Sequence, residues 1–177
     1  NAFVLVTDNE SGEVVGRYYP NSKTGKYVFI LPPGKNYNIT YEAEDYLFQS
    51  ENLDVSDSSA YAIIEKPIEL MPIKVGSKIV LKNIFFKSGQ AELQPESKTE
   101  LDKLKKLMLQ FPNLIVEISG HTDAQGSDEL NQKLSLKRAQ AVADYLIAGG
   151  IEAKRIKVVG YGESQPIAKN KNPDGSW

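Results

Sequence analysis

The chain has 177 residues, a mass of 19.6 kDa and a net charge of −2, from 21 basic and 23 acidic side chains. At 41% hydrophobic and 25% charged it has the composition of one large or two small folded domains, which excludes a disordered tail, a fibre and a basic nucleic-acid binder. It lacks cysteine, has one histidine (His121) and has no run of about 18 apolar residues, so disulfides, thiolate or histidine-rich metal sites and a membrane-spanning helix are excluded as well.

The chain opens at Asn1 without a charged or apolar leader and is expected to be a mature product or a piece of something longer. Residues 1–71 read as strands. Ala2–Val6 and Tyr27–Leu31 are apolar runs, and Tyr37–Tyr41 alternates β-branched, aromatic and polar residues. Tyr61–Ile64 and Ile68–Met71 are expected as short late strands. Turn signals such as Ser22–Gly25 and Pro32-Pro33-Gly34 recur at the spacing of a small all-β sandwich. Tyr18, Tyr19, Tyr37, Tyr41, Tyr46 and Phe48 belong either to its core and cross-strand pairs or to a binding surface.

After a linker over 72–77 the period changes. Lys78–Phe86 is expected as a strand. Glu96–Phe111 carries Leu101, Leu104, Leu107, Met108 and Phe111 at helical spacing, and Pro112-Asn113 ends it. Leu114–Gly120 alternates as a strand. Ser127–Ala148 is a long helix with Ser127 or Asp128 as cap and Gly149-Gly150 as stop, and Arg155–Tyr161 is a last strand. The expected order over 78–177 is βαβαβ, an α/β domain with its helices packed on one face of the sheet.

The chemistry concentrates between Ile118 and Ala141, where a strand ends, a polar loop follows and a helix begins. Such junctions are habitual binding places, because free N–H groups and the helix dipole favour an anion. Asp123 lies in the loop and Arg138 on the helix, with Thr122, Gly126, Ser127 and Asn131 as further candidates. A carboxylate and a guanidinium together suit a zwitterion, the arginine taking its carboxylate and the aspartate its ammonium. The same two residues also fit a loop cap and a surface ion pair, and both readings are open at this point. Ser119, His121 and Asp123 alternate along the strand end, but adjacency in sequence does not make a triad, and no G-x-S-x-G or second histidine exists. His121 is expected to hydrogen-bond locally, and no catalysis, cofactor or metal is expected.

A set of motifs resembles the OmpA-like C-terminal domain family over about 80–177. These are Ile84-Phe85-Phe86, Ala91-x-Leu93-x-Pro95, Gly120-His121-Thr122-Asp123-x-x-Gly126-Ser127, Asn131-x-x-Leu134-Ser135-x-x-Arg138-Ala139 and Gly160-Tyr161-Gly162-Glu163. The resemblance implies peptidoglycan binding without catalysis, in the periplasm and associated with the outer membrane of a Gram-negative bacterium. It implies a grip on the diaminopimelate of the stem peptide, with Asp123 at the ammonium and Arg138 at the carboxylate. Thr122 and Asn131 match positions that line the pocket, and backbone N–H groups near Ser127 would add to the grip.

Two departures stand out. The family usually closes with an Asn-Arg-Arg-Val-type strand that this sequence does not contain, so the domain is expected to be truncated. Phe86-Lys87-Ser88-Gly89 stands where members commonly carry an acidic or aromatic residue. Thr24-Gly25-Lys26-Tyr27 and Leu31-Pro32-Pro33-Gly34 resemble, more loosely, a carboxypeptidase-regulatory-like sandwich over about 1–70. The pairing of the two modules resembles a Bacteroidetes envelope protein of the kind that anchors type IX secretion. The contrasting expectation is an envelope scaffold whose sandwich recruits a protein partner, with weak or absent wall binding.

Overall fold

A computed structural model describes residues 2–57, 64–124 and 126–165. The chain divides into two compact units, Asn1–Asn83 and Ile84–Trp177.

The first unit is built on one antiparallel sheet of β1 (Ala2–Asp8), β2 (Val14–Tyr18), β3 (Lys35–Ala43) and β4 (Gln49–Val55), in the order β2-β1-β3-β4. The β1–β2 turn is set by Asp8, whose Oδ1 accepts from the N–H of Glu10 at 2.9 Å and of Ser11 at 3.2 Å. Register places Val4 opposite Tyr41 and Val6 opposite Ile39, and these four with Tyr37 form the apolar core. The opposite face is polar yet buried. It carries Thr7, Asn38, Thr40 and Ser50, and a side-chain chain runs from Asn9 through Asn36 and Asn52 to Asn83.

The expected second sheet is not formed among the described residues. Tyr27, Phe29 and Leu31 pack on the core while Val28 and Ile30 face out, and Ile68 and Leu70 pack there while Glu69 and Met71 do not. The alternation of a strand is present, but neither segment joins a ladder. Prolines explain it: Pro32 and Pro33 end the first segment, and Pro67 and Pro72 bracket the second, and none has an N–H to give. Most of Tyr61–Ile64 lies outside the described residues. The stretch expected as a linker is tied to this unit, since the Leu47 N–H donates to the Met71 carbonyl at 2.8 Å and the Ile73 N–H to the Asp45 carbonyl at 2.9 Å.

The second unit contains α1 (Lys98–Gln110), β5 (Val116–Gly120), α2 (Asp128–Ala148) and β6 (Ile156–Gly160). β5 and β6 pair in parallel, from Val116 opposite Ile156 to Gly120 opposite Gly160. α2 packs on both strands and α1 packs on α2. α1 buries Leu101, Leu104, Leu107 and Met108, and α2 buries Asn131, Ser135, Ala139, Val142, Ala143 and Leu146, each set on one helical face. The far end of α1 is closed by Arg155. Its Nη2 donates to the carbonyls of Met108 at 2.7 Å and Phe111 at 2.8 Å, and its Nε to that of Leu114 at 3.0 Å.

The strand expected at Lys78–Phe86 is not formed, so the described α/β layer has two strands rather than three. The backbone groups of Phe85 are spent locally. Its N–H donates to Ser97 Oγ at 2.8 Å, and its carbonyl accepts from the Gln94 N–H at 2.9 Å and from Ser97 Oγ at 3.0 Å. Phe86 makes a lone bridge with Leu93. This loop turns residues 84–97 back on themselves ahead of α1.

Candidate functional site

The site lies where β5 and β6 end and α2 begins. Gly120 and Gly160 close the last rung of the parallel pair. A methyl group on Gly120 would sit 2.0 Å from the Ser135 carbonyl oxygen, and one on Gly160 would sit 2.6 Å from the Leu136 nitrogen. Only glycine at both places lets α2 lie this close to the strand ends.

Two loops leave from that rung and are stitched together. The Tyr161 N–H donates to the Gly120 carbonyl, and the Thr122 N–H to the Gly162 carbonyl, each at 2.9 Å. α2 fixes the second loop: Ser135 Oγ accepts from the Gly162 N–H at 2.9 Å, and Gln132 Nε2 donates to the Gly160 carbonyl at 2.6 Å. Ser127 caps α2, its side chain accepting from the Leu130 N–H at 3.4 Å. Gly126 holds φ 108°, a conformation that excludes other residues at this turn.

Asn131 is the clip of the site. It is buried, and its Nδ2 donates to the Asp123 carbonyl at 3.3 Å and to Glu163 Oε2 at 2.7 Å. One amide thereby ties the α2 face to both loops. Glu163 belongs to a motif visible in the sequence, but nothing in its spacing marked it as a site residue. It brings a carboxylate to the same amide that holds the Asp123 backbone.

Arg138 lies two turns further along the face that carries Asn131. It is half-buried, its Nε donates to the Gln90 carbonyl at 3.0 Å, and its Cζ lies 5.1 Å from the centre of the Phe86 ring. Burial pushes the guanidinium below its ordinary value, and the charge of Asp123 works against that shift. The sequence left a ligand site and a surface ion pair both open for these two residues, and the structure places them near enough for their charges to act on one another. Adjacent Phe85 and Phe86 let the sequence offer one ring to a groove, and Phe86 is the ring at Arg138; Gln90 carries no such signal, and both reach Arg138 through the loop that replaced the expected strand.

Thr122 Oγ1 is buried and makes no hydrogen bond among the described residues, which leaves a hydroxyl free beside Asp123. His121 stacks on Tyr161, ring centres 5.4 Å apart, and its Nε2 lies 3.3 Å from Ser119 Oγ. That is the local hydrogen bond expected of it. No cluster of three metal-ligating side chains occurs among the described residues.

The site combines a guanidinium on α2, seated on an aromatic ring, with one carboxylate on each of the two loops that leave the strand ends. The model of the OmpA family matches residues 85–176, a little over half of the chain and all of this site. Among curated relatives, outer membrane porin F of Pseudomonas fluorescens is 40% identical over 93 residues, covering 52% of this chain and 28% of the porin. The probable lipoprotein YiaD of Escherichia coli is 36% identical over 103 residues, covering 56% and 47%. This chain thus spans less than half the length of either. A solved structure of the peptidoglycan-associated lipoprotein from Burkholderia pseudomallei is 25% identical, with a TM-score of 0.47 over 52% of this chain and 78% of that one.

Proposed function

The chain belongs to the OmpA family, and from that premise we propose that it binds peptidoglycan non-covalently and anchors a Gram-negative envelope assembly to the cell wall. The ligand group is the diaminopimelate of the stem peptide, whose side-chain end is itself a zwitterion. Asp123 meets its ammonium and Arg138 its carboxylate. Thr122, Gly126, Ser127 and Asn131 line the place, with Glu163 as a further acceptor. The observation that supports this reading is that Asn131 clips the Asp123 loop to the face of α2 that also carries Arg138, near enough for the two charges to act on one another.

Co-sedimentation with insoluble peptidoglycan tests it. The unaltered chain pellets with the sacculi, and Asp123→Ala or Arg138→Ala stays in the supernatant, since loss of one hydrogen-bonded charge contact costs about 2–5 kcal/mol of binding. Retention of both variants in the pellet overturns the reading. A titration of diaminopimelate against lysine separates the two halves of the site, because lysine lacks the carboxylate assigned to Arg138.

A second reading concerns the first unit, whose sequence resembles a carboxypeptidase-regulatory-like sandwich. Val28 and Ile30, 83% and 79% exposed on one side of a segment outside any ladder, favour a scaffold that recruits an envelope protein, type IX secretion being the context its sequence resembles. Removing residues 1–74 discriminates the readings: wall binding survives under the first and partner recruitment is lost under the second.

A further inference from the structure

Beside the Asp123–Arg138 site, and sharing its wall, runs an open groove of about 570 Å³ between α2 and the loop at Gly89–Ala91. That volume lies within the range of small-ligand sites. The groove starts at Gly126 and Asn131, the residues that hold the Asp123 loop, and its far wall includes Gln90, whose carbonyl holds Arg138. Anything seated between Asp123 and Arg138 and continuing along α2 enters it.

Its character differs from that of the zwitterion site. Leu130, Lys133, Leu134 and Lys137 follow one another at i, i+3, i+4 and i+7, which sets two leucines and two lysines along one strip of α2. Leu130 is 65% exposed. Lys133 pairs with Glu129 at 2.6 Å on the exposed helix surface, and Lys137 makes no ion pair among the described residues. Among the described residues, no acidic side chain lines the groove. Two ammonium groups over an apolar strip fit a peptide that carries a carboxylate of its own.

We propose that this groove is a second subsite, in which Lys137, assisted by Lys133, reads a free carboxylate on the peptide that extends from the residue gripped by Asp123 and Arg138. The inference rests on the zwitterion reading of that site. In a stem peptide the neighbouring glutamyl residue supplies such a carboxylate, and amidation removes it. The groove would therefore make this chain prefer walls whose glutamyl carboxyl is free.

The test uses two tripeptides, alanyl-γ-glutamyl-diaminopimelate with the glutamyl carboxyl free and with it amidated, titrated calorimetrically into the full chain. The free acid binds about fivefold more tightly, the size expected of exposed ion pairs, and the preference shrinks as salt is raised. In K133Q/K137Q the two peptides bind alike, with the affinity the unaltered chain shows for the amide. Circular dichroism of the variant reports whether α2 is intact. Equal binding of both peptides by the unaltered chain overturns the subsite and leaves the zwitterion site standing. Binding of neither overturns the zwitterion reading itself. A preference that persists in K133Q/K137Q with α2 intact assigns the carboxylate to other residues and also overturns the proposal.

Discussion

Arg138 rests on Phe86: the guanidinium carbon lies 5.1 Å from the ring centre while its Nε is engaged by the Gln90 carbonyl. The ring and the carbonyl together hold a long, flexible side chain in one pose before any ligand arrives. That matters because ordering such a side chain on binding costs about 0.5–1.5 kcal/mol.

Phe86→Leu keeps an apolar side chain beneath the arginine but removes the aromatic face. The cation–π contact is worth about 0.5–1 kcal/mol at an exposed site, so peptide binding weakens about two- to fivefold. Phe86→Tyr restores it. Calorimetric titration of the three proteins measures the effect, and an unchanged affinity for the leucine variant refutes the role given to the ring.

Asn131→Asp turns the donor that holds Glu163 into a second carboxylate at the same 2.7 Å contact. The loss of the bond and the new repulsion cost about 1–3 kcal/mol at pH 7. Adjacent carboxylates share a proton, so the penalty fades as pH falls below about 5. Thermal melts at pH 7 and at pH 4.5 check this, and adding Glu163→Gln to the variant recovers stability at pH 7.

Arg155→Ala leaves the carbonyls of Met108, Phe111 and Leu114 without their donor. A hydrogen bond from a charged group is worth about 1.5–3 kcal/mol, and these three share one side chain, so the loss is about 2–3 kcal/mol in urea unfolding of the second unit. Arg155→Lys recovers less than half, because an ammonium cannot span carbonyls that a planar fork reaches together. Full recovery by lysine contradicts the geometry.

The first unit gains a pH dependence from Asp8. The hydrogen bond from the Lys35 ammonium, 2.6 Å away, holds the carboxyl below its ordinary value of 3.8, with help from the Ser11 and Glu10 N–H groups against the opposing effect of burial. A depressed folded value means that the stabilisation is fully present above about pH 3.8 and is lost as pH falls through the lower folded value. Melting of the unit followed from pH 5 to pH 2 shows this loss, and Asp8→Asn flattens the curve over that window.

The second unit was legible where local signals agree with packing. α2 begins at the serine cap and ends at the glycine stop, and β5 and β6 fall where apolar residues alternate. Asp123 and Arg138 were visible as a loop carboxylate and a helix guanidinium. Lys78–Phe86 was misread because its β-branched and aromatic residues state a preference for a pleated surface, not a partner for its N–H groups, and Ser97 and Gln94 supply that partner instead. Gln90 and Glu163 join the site through contacts between residues 48 and 32 positions apart, a distance at which residue spacing is silent. In the first unit Tyr27–Leu31 was legible only as an apolar run; packing turns Tyr27, Phe29 and Leu31 inward, and the prolines around the segment decided that no ladder forms.

The paired glycines at the last rung bear on how this unit answers to force. With no side chain at Gly120 or Gly160, the backbone of α2 at Ser135 and Leu136 rests directly on both strand ends. A load applied at Arg138 therefore reaches the strand ends through backbone contact rather than through intervening side chains. Under the proposed function, the helix of Arg138 and the loops of Asp123 and Glu163 share one backing, the rung closed by Gly120 and Gly160, so a side chain at either glycine would loosen both sides of the anchor at once.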